Sequence, residues 1–238
     1  MKSRATQTKE LDMVNGPLAR KILIYSIPLM FSNLLQVFFN MTDVAVVGKF
    51  AGARALGSVG STTIIITLTT GILLGMGGGV NAVTALHMGA EDYQRVHKTV
   101  HTSVILCFIA GLLLLVTGLA FSKPLLEVMN TKPELIDGAT AYLMIYLCGS
   151  PALALYNFGN GVLSAVGDTK RPLIYLSISG IINIVLNLFF VIVCRLGVIG
   201  VAIASIIAQY ISATLIIRFL LKTCLLYTSD AADDRISV

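Results

Sequence analysis

Apolar residues dominate six long segments of the chain, at about 22–47, 56–87, 100–121, 138–165, 173–193 and 198–221, with polar residues gathered in short gaps such as GAEDYQRVHK and GDTKRP. A bilayer's hydrocarbon core is about 30 Å thick and takes roughly 20 apolar residues per helix. The pattern therefore predicts an all-α, polytopic membrane protein of six transmembrane helices. The first span is too long and ends too late for a signal peptide, although ARA at 53–55 mimics a cleavage site. Pro28, Pro151 and Pro172 mark kinks or helix starts. In the second span Gly71, Gly75 and Gly79 recur at intervals of four, which predicts a face on which a neighbouring backbone packs closely. The adjacent Gly77 and Gly78 make a local hinge there possible.

Composition agrees with the pattern: 56% of residues are hydrophobic, 12% are charged and mean hydropathy is +0.86. Soluble domains do not have this balance. A formal charge of +5 could suggest nucleic-acid binding, but the basic residues are scattered among the gaps between spans, which fits membrane topology and no nucleic-acid partner. With a cytoplasmic N-terminus, one side receives Lys2, Arg4, Lys9, Arg20, Lys21, Arg95, Lys98, Lys170, Arg171, Arg218 and Lys222. The other receives only Lys49, Arg54, Lys123, Lys132 and Arg195. The positive-inside rule then places the N-terminus and the end of the sixth span in the cytoplasm. Cys107, Cys148 and Cys194 lie in apolar runs without a CxxC pair and read as packing residues rather than disulfide or metal ligands.

Polar residues inside the spans carry the functional information, because an Asp at mid-helix costs about 2.5–3.5 kcal/mol on insertion scales. In the first span Asn33, Gln36, Asn40 and Asp43 fall within an arc of roughly 80° at helical spacing. Ser179, Asn183 and Asn187 form a similar stripe in the fifth. Amides donate to a carboxylate and accept from its protonated form, so the two stripes are natural partners, either as a site or as interhelical glue. Burial penalises the charged form of an acid. Asp43 in such a cleft can exchange a proton as water access changes, or hold a monovalent or organic cation when ionised. Tyr142, Tyr146, Tyr156 and Asn157 in the fourth span either line a cavity or serve as interface anchors and packing.

Other chemistry is poorly supported. His97 and His101 are spaced for one helical face, but no third ligand completes a metal site. His87 reads as a solvated cap at the end of the second span. GDTKRP lacks the P-loop spacing and reads as a tight turn with Pro172 opening the fifth span. No HExxH or nucleophile with a fixed base is present, and a membrane enzyme built on Asp43 would need a second acid or base at membrane depth.

Three stretches, IPLMFSNLLQVFFNMTDVAVVGKFAGARALGSVG, GVLSAVGDTKRPLIYLSISGIINIVLN and GVIGVAIASIIAQYIS, resemble membrane segments of the multidrug and toxic compound extrusion (MATE) family. The resemblance covers about residues 10–222. It implies one six-helix lobe of a twelve-helix, two-lobed antiporter that exports cationic or amphiphilic small molecules in exchange for protons or sodium, with no other cofactor and no enzymatic activity. The implied location is the inner (plasma) membrane, and the implied partners are the bilayer, the substrate and a C-terminal lobe of the same protein. Asp43 matches the family's first-span acid, and Asn183 and Asn187 match its fifth-span partners. Asn187 stands where many relatives carry Asp, so an acid that would share the ion-binding work is missing. Tyr142 and Ser205 complete the group by position, alongside Gln36 and Asn40 from the first-span stripe. Ser164 stands where relatives often have Arg. The nearest alternative is a lipid-linked-precursor flippase of the same superfamily, for which a more cationic cavity is expected; a non-transporting packing subunit is a third reading.

The resulting organisation is an N-terminal cytoplasmic segment at 1–21, the six-helix lobe at 22–222 and a tail at 223–238. The string CLLYTSDAADD within the tail resembles an in-frame translation of a transposase adapter used in DNA sequencing libraries, so Cys224 to Val238 is expected to be read-through from a truncated gene.

Overall fold

The computed structural model describes residues 18–236, with side chains from Ile22 to Lys222. The expected N-terminal segment and the origin of the tail lie outside the residues described with side chains. Seven α-helices follow in order: α1 Leu18–Val46, α2 Ala53–Gly89, α3 Tyr93–Val128, α4 Pro133–Leu147, α5 Ser150–Ala165, α6 Lys170–Leu188 and α7 Gly197–Ile236. Short π-helical turns, Val47–Ala51 and Phe189–Val193, extend α1 and α6. Among the described residues there is no strand.

Five of these helical segments are individually long and apolar enough to cross a membrane, and the bent pair α4–α5 makes a sixth span. The predicted fourth span is thus broken, with its halves bent by 46°. Pro151 explains why: it has no N–H, so the Leu147 carbonyl loses its helical donor and the chain turns before resuming. Pro28 lies inside α1, whose Ser32 hydroxyl bonds the Pro28 carbonyl at 3.0 Å. Pro172 falls in the first turn of α6.

Three turns between helices close by one device, a left-handed residue after the helix whose successor bonds back to the last turn. Glu91, Asn130 and Gly167 have φ of 56°, 54° and 84°. The N–H groups of Asp92, Thr131 and Asp168 donate to His87, Leu126 and Leu163 carbonyls at 3.0, 3.1 and 2.9 Å. In GDTKRP the Asp168 carboxylate then accepts the Arg171 backbone N–H at 3.3 Å and pairs with its guanidinium, which lies 4.2 Å from the Phe219 ring centre. The turn is as expected, and the ring contact ties α6 to α7.

Between helices in lipid there is little hydrophobic drive, so association rests on close packing and small residues. The central α5, rich in Gly, Ala and Ser, meets that need and packs against α2, α3 and α7. Here the glycine expectation is corrected. Gly71, Gly75 and Gly79 meet nothing within 4 Å, and the close approach is made by Gly77, where an added β-carbon would lie 2.7 Å from the Asn157 carbonyl. The helix α2 runs unbroken through Gly77 and Gly78, so it shows no hinge there. Periodicity had selected a face of α2 that points away from α5.

The helix α1 packs chiefly on α6, which packs on α7. A cluster of Val46, Val47, Val59, Tyr142, Val191, Val201 and Ala202 closes the bundle at the π-turn end. Of the three cysteines with described side chains, Cys107 is buried and Cys148 half-buried, whereas Cys194 is exposed at the end of its π-turn, contrary to a packing role. All three are free thiols. His97 and His101 stack with ring centres 6.4 Å apart, and no group of three metal-ligating side chains exists among the described residues.

Candidate ion and substrate site

The predicted stripes of α1 and α6 do face each other. Asp43, 7% exposed, sits three residues before the end of α1, and Asn187, fully buried, one residue before the end of α6. The Asn187 amide donates to one Asp43 carboxylate oxygen, and the Ser205 hydroxyl of α7 donates to the other at 3.2 Å. The same Asn187 amide nitrogen also donates to Asn183 Oδ1 at 3.2 Å, and Asn183 Nδ2 donates to Ser205 Oγ at 3.4 Å. Three helices therefore converge on one carboxylate through amides and a hydroxyl. Asn187 Oδ1 remains buried without a hydrogen-bond partner.

Asp43 opens onto a cleft of about 110 Å³ whose walls include Gln36, Asn40, Thr70, Tyr146, Tyr156, Ser179, Asn183, Ser205, Gln209 and Ser212. Among the described residues no Lys, Arg or His lines it. Drug-sized ligands occupy pockets of about 300–1,000 Å³, so the cleft accommodates an ion with water but not such a molecule in full.

The site residues expected from the sequence divide into three groups. Asp43, Asn183, Asn187 and Ser205 form one hydrogen-bonded set. Gln36 and Asn40 line the cleft without a described hydrogen bond to Asp43, while Asn33, the first member of that stripe, is exposed and outside the cleft lining. Tyr142 does not line the cleft: it is buried in the cluster at the π-turn end, stacked on Tyr146 with ring centres 6.1 Å apart. Of the other fourth-span residues, Tyr146 and Tyr156 line the cleft, and Asn157 instead bonds the Leu153 carbonyl at 2.9 Å. The Tyr156 hydroxyl reaches the Pro172 carbonyl at 3.2 Å, joining α5 to α6.

Gln209 and Ser212 were not anticipated. With Ser205 they follow intervals of four and three along α7, so the periodicity test that found the α1 and α6 stripes would have found this one.

Comparison with known proteins matches this chain to the MatE family model over residues 28–189. The chain is 29% identical over 204 residues to the probable multidrug resistance protein YpnP of Bacillus subtilis, an alignment covering 86% of this chain and 46% of that protein. It is 27% identical over 213 residues to the probable multidrug resistance protein NorM of Thermotoga maritima, covering 87% of this chain and 45% of the relative. It also superimposes on the outward-facing conformation of a multidrug resistance MATE family transporter with a TM-score of 0.84 at 27% identity, covering 91% of this chain and 48% of that one. The chain thus spans about half the length of the relatives it matches.

Proposed function

The chain belongs to the MatE family, and from that premise we propose that it is the N-terminal lobe of an antiporter that exports cationic or amphiphilic compounds by alternating access. Family relatives are transporters rather than enzymes. Asp43 is the principal coupling group in this reading, exchanging a proton or a sodium ion against substrate. The observation that carries it is that, among the described residues, one carboxylate is buried, and neutral groups hold it. An intramembrane acid without a cationic partner is expensive, and such residues mark ion and proton pathways. Asn187 and Ser205 suit both states, since an amide and a hydroxyl can each donate to the carboxylate or accept from the acid. The absence of Lys and Arg from the cleft lining disfavours the flippase alternative, which calls for a cationic cavity.

The small cleft also bears on the missing half. Alternating access rocks one helical repeat against another around a shared site. Residues 1–238 alone are therefore expected to export nothing. The test is reconstitution of the full-length protein in liposomes, with a fluorescent cationic dye and an imposed pH or sodium gradient. Export driven by one of the two gradients is expected and identifies the ion. Export from the 238-residue chain alone would overturn the half-site reading, and absence of gradient-driven export from the full-length protein would overturn the antiporter assignment.

Sidedness is tested separately. With a cytoplasmic N-terminus, the exposed Cys194 beside Arg195 faces outward. A membrane-impermeant maleimide added to intact spheroplasts is expected to label Cys194. Labelling only after permeabilisation would reverse the topology.

A further inference from the structure

Two neighbouring residues of α7 contact the break in the fourth span. The Tyr210 hydroxyl donates to the Cys148 carbonyl at 3.2 Å. Beside it, the end of the Gln209 side chain fills the space where a side chain at position 149 would begin. A β-carbon added to Gly149 would overlap Gln209 Oε1 and lie 2.8 Å from its Cδ. The backbone does not require glycine there, because Gly149 has φ −83° and ψ −10°, which any L-residue adopts. Its missing side chain is accounted for by the amide seated on it.

The seat lies between two groups of cleft residues, Tyr146 before the break and Leu153 and Tyr156 after it. The Tyr146 hydroxyl faces the side chains of Thr70 and Gln209. Gln209 itself lies one helical turn beyond Ser205, which bonds Asp43. Its Oε1 is buried without a hydrogen-bond partner among the described residues, so that oxygen does not tie the side chain down.

We propose that Gln209 is a positioning residue: seated on Gly149, it wedges the bend of the fourth span and sets Tyr146 toward the Asp43 cleft. The contact stands on the fold alone, whereas its consequence for transport rests on the cleft being the transport site. A methyl at position 149 displaces the end of a long, flexible side chain and lies 3.2 Å from the Tyr146 carbonyl oxygen, so Gly149→Ala is expected to fold with a small backbone adjustment while emptying the seat.

The test compares Gly149→Ala, Gln209→Ala, the double variant and Gln209→Met, which refills the seat with an apolar chain of similar length. In the full-length protein each alanine variant is expected to raise the half-saturating dye concentration about tenfold, with maximal rate and protein amount nearly unchanged, as for a misplaced positioning group. The double variant is expected to be no worse than either single one, since both remove one contact. In the 238-residue chain with its other cysteines replaced by serine, maleimide labelling of Cys148 is expected to quicken in the same non-additive pattern. Gln209→Met is expected to leave Cys148 as slow to react with maleimide as in the unsubstituted chain, because the seat stays filled. Additive effects, a silent Gly149→Ala, or a Gln209→Met in which Cys148 labels as fast as in Gln209→Ala would overturn the proposal. If the unsubstituted full-length protein exports no dye, the transport reading fails, and Cys148 labelling still decides the seat.

Discussion

Replacing Asp43 with asparagine in the full-length protein is expected to reduce gradient-driven export to the level of protein-free liposomes without lowering the melting temperature. The substitution is nearly isosteric, and its surroundings can be satisfied again. Oδ1 of the new amide can accept from Asn187, as the carboxylate does now. Its Nδ2 can donate to Ser205 Oγ, which already accepts from Asn183 and has a second lone pair to offer. The Ser205 O–H loses its carboxylate acceptor but can turn to the Val201 carbonyl one helical turn back, and the cost of holding a charge at membrane depth disappears. Stability should therefore hold or rise. What is lost is the capacity to exchange a proton or bind a cation, since a side-chain amide does not titrate in the physiological range. Melting and dye export measured on the same preparation separate the two effects. Coupled export at the unsubstituted level would remove Asp43 from its assigned role, whereas loss of both export and stability would reassign it to packing.

The parts of this arrangement that were legible in the sequence are those set by one helix at a time. Span length follows from bilayer thickness, and the stripes of Asp43 and of Asn183 with Asn187 follow from helical periodicity. Pro151 signalled an interruption for a covalent reason, its missing N–H. The size of the bend was not legible, because a missing N–H sets no angle and the residues that contact the break, Gln209 and Tyr210, come from another span. The two π-turns left no comparable signal, since a change of hydrogen-bond register needs no particular residue. Position alone does not say which side of α4 a residue takes: Tyr142 lies near Asp43 in the fold, in the packed cluster at the π-turn end rather than in the cleft lining. Periodicity identifies a face and not the neighbour it meets, which is why the three regularly spaced glycines of α2 misled and Gly77 did not stand out.

That difference yields the second large effect. Gly77→Ala is expected to destabilise the 238-residue chain by about 1–3 kcal/mol, the usual scale for overpacking. The added methyl would lie 2.7 Å from the Asn157 carbonyl oxygen and 3.1 Å from its carbon, and these are backbone atoms that cannot swing aside. The opposing α5 surface offers no slack either, because a β-carbon at Gly161 would itself collide with the Gly77 carbonyl. To admit the methyl, α2 and α5 must separate, which stretches the bond from Asn81 Nδ2 to the Gly161 carbonyl, now 3.1 Å. Helices in lipid gain little from burying apolar surface, so nothing offsets the packing lost. Alanine at Gly71, Gly75 or Gly79 meets no atom within 4 Å. These changes should be neutral or slightly stabilising, since alanine favours a helix over glycine by about 1 kcal/mol. Melting of the four variants in one detergent checks both halves of the expectation. A silent Gly77→Ala with destabilised Gly71, Gly75 or Gly79 variants would mean that α5 lies against the other face of α2, and the cleft wall formed by Tyr156 and Leu153 would have to be rebuilt with it.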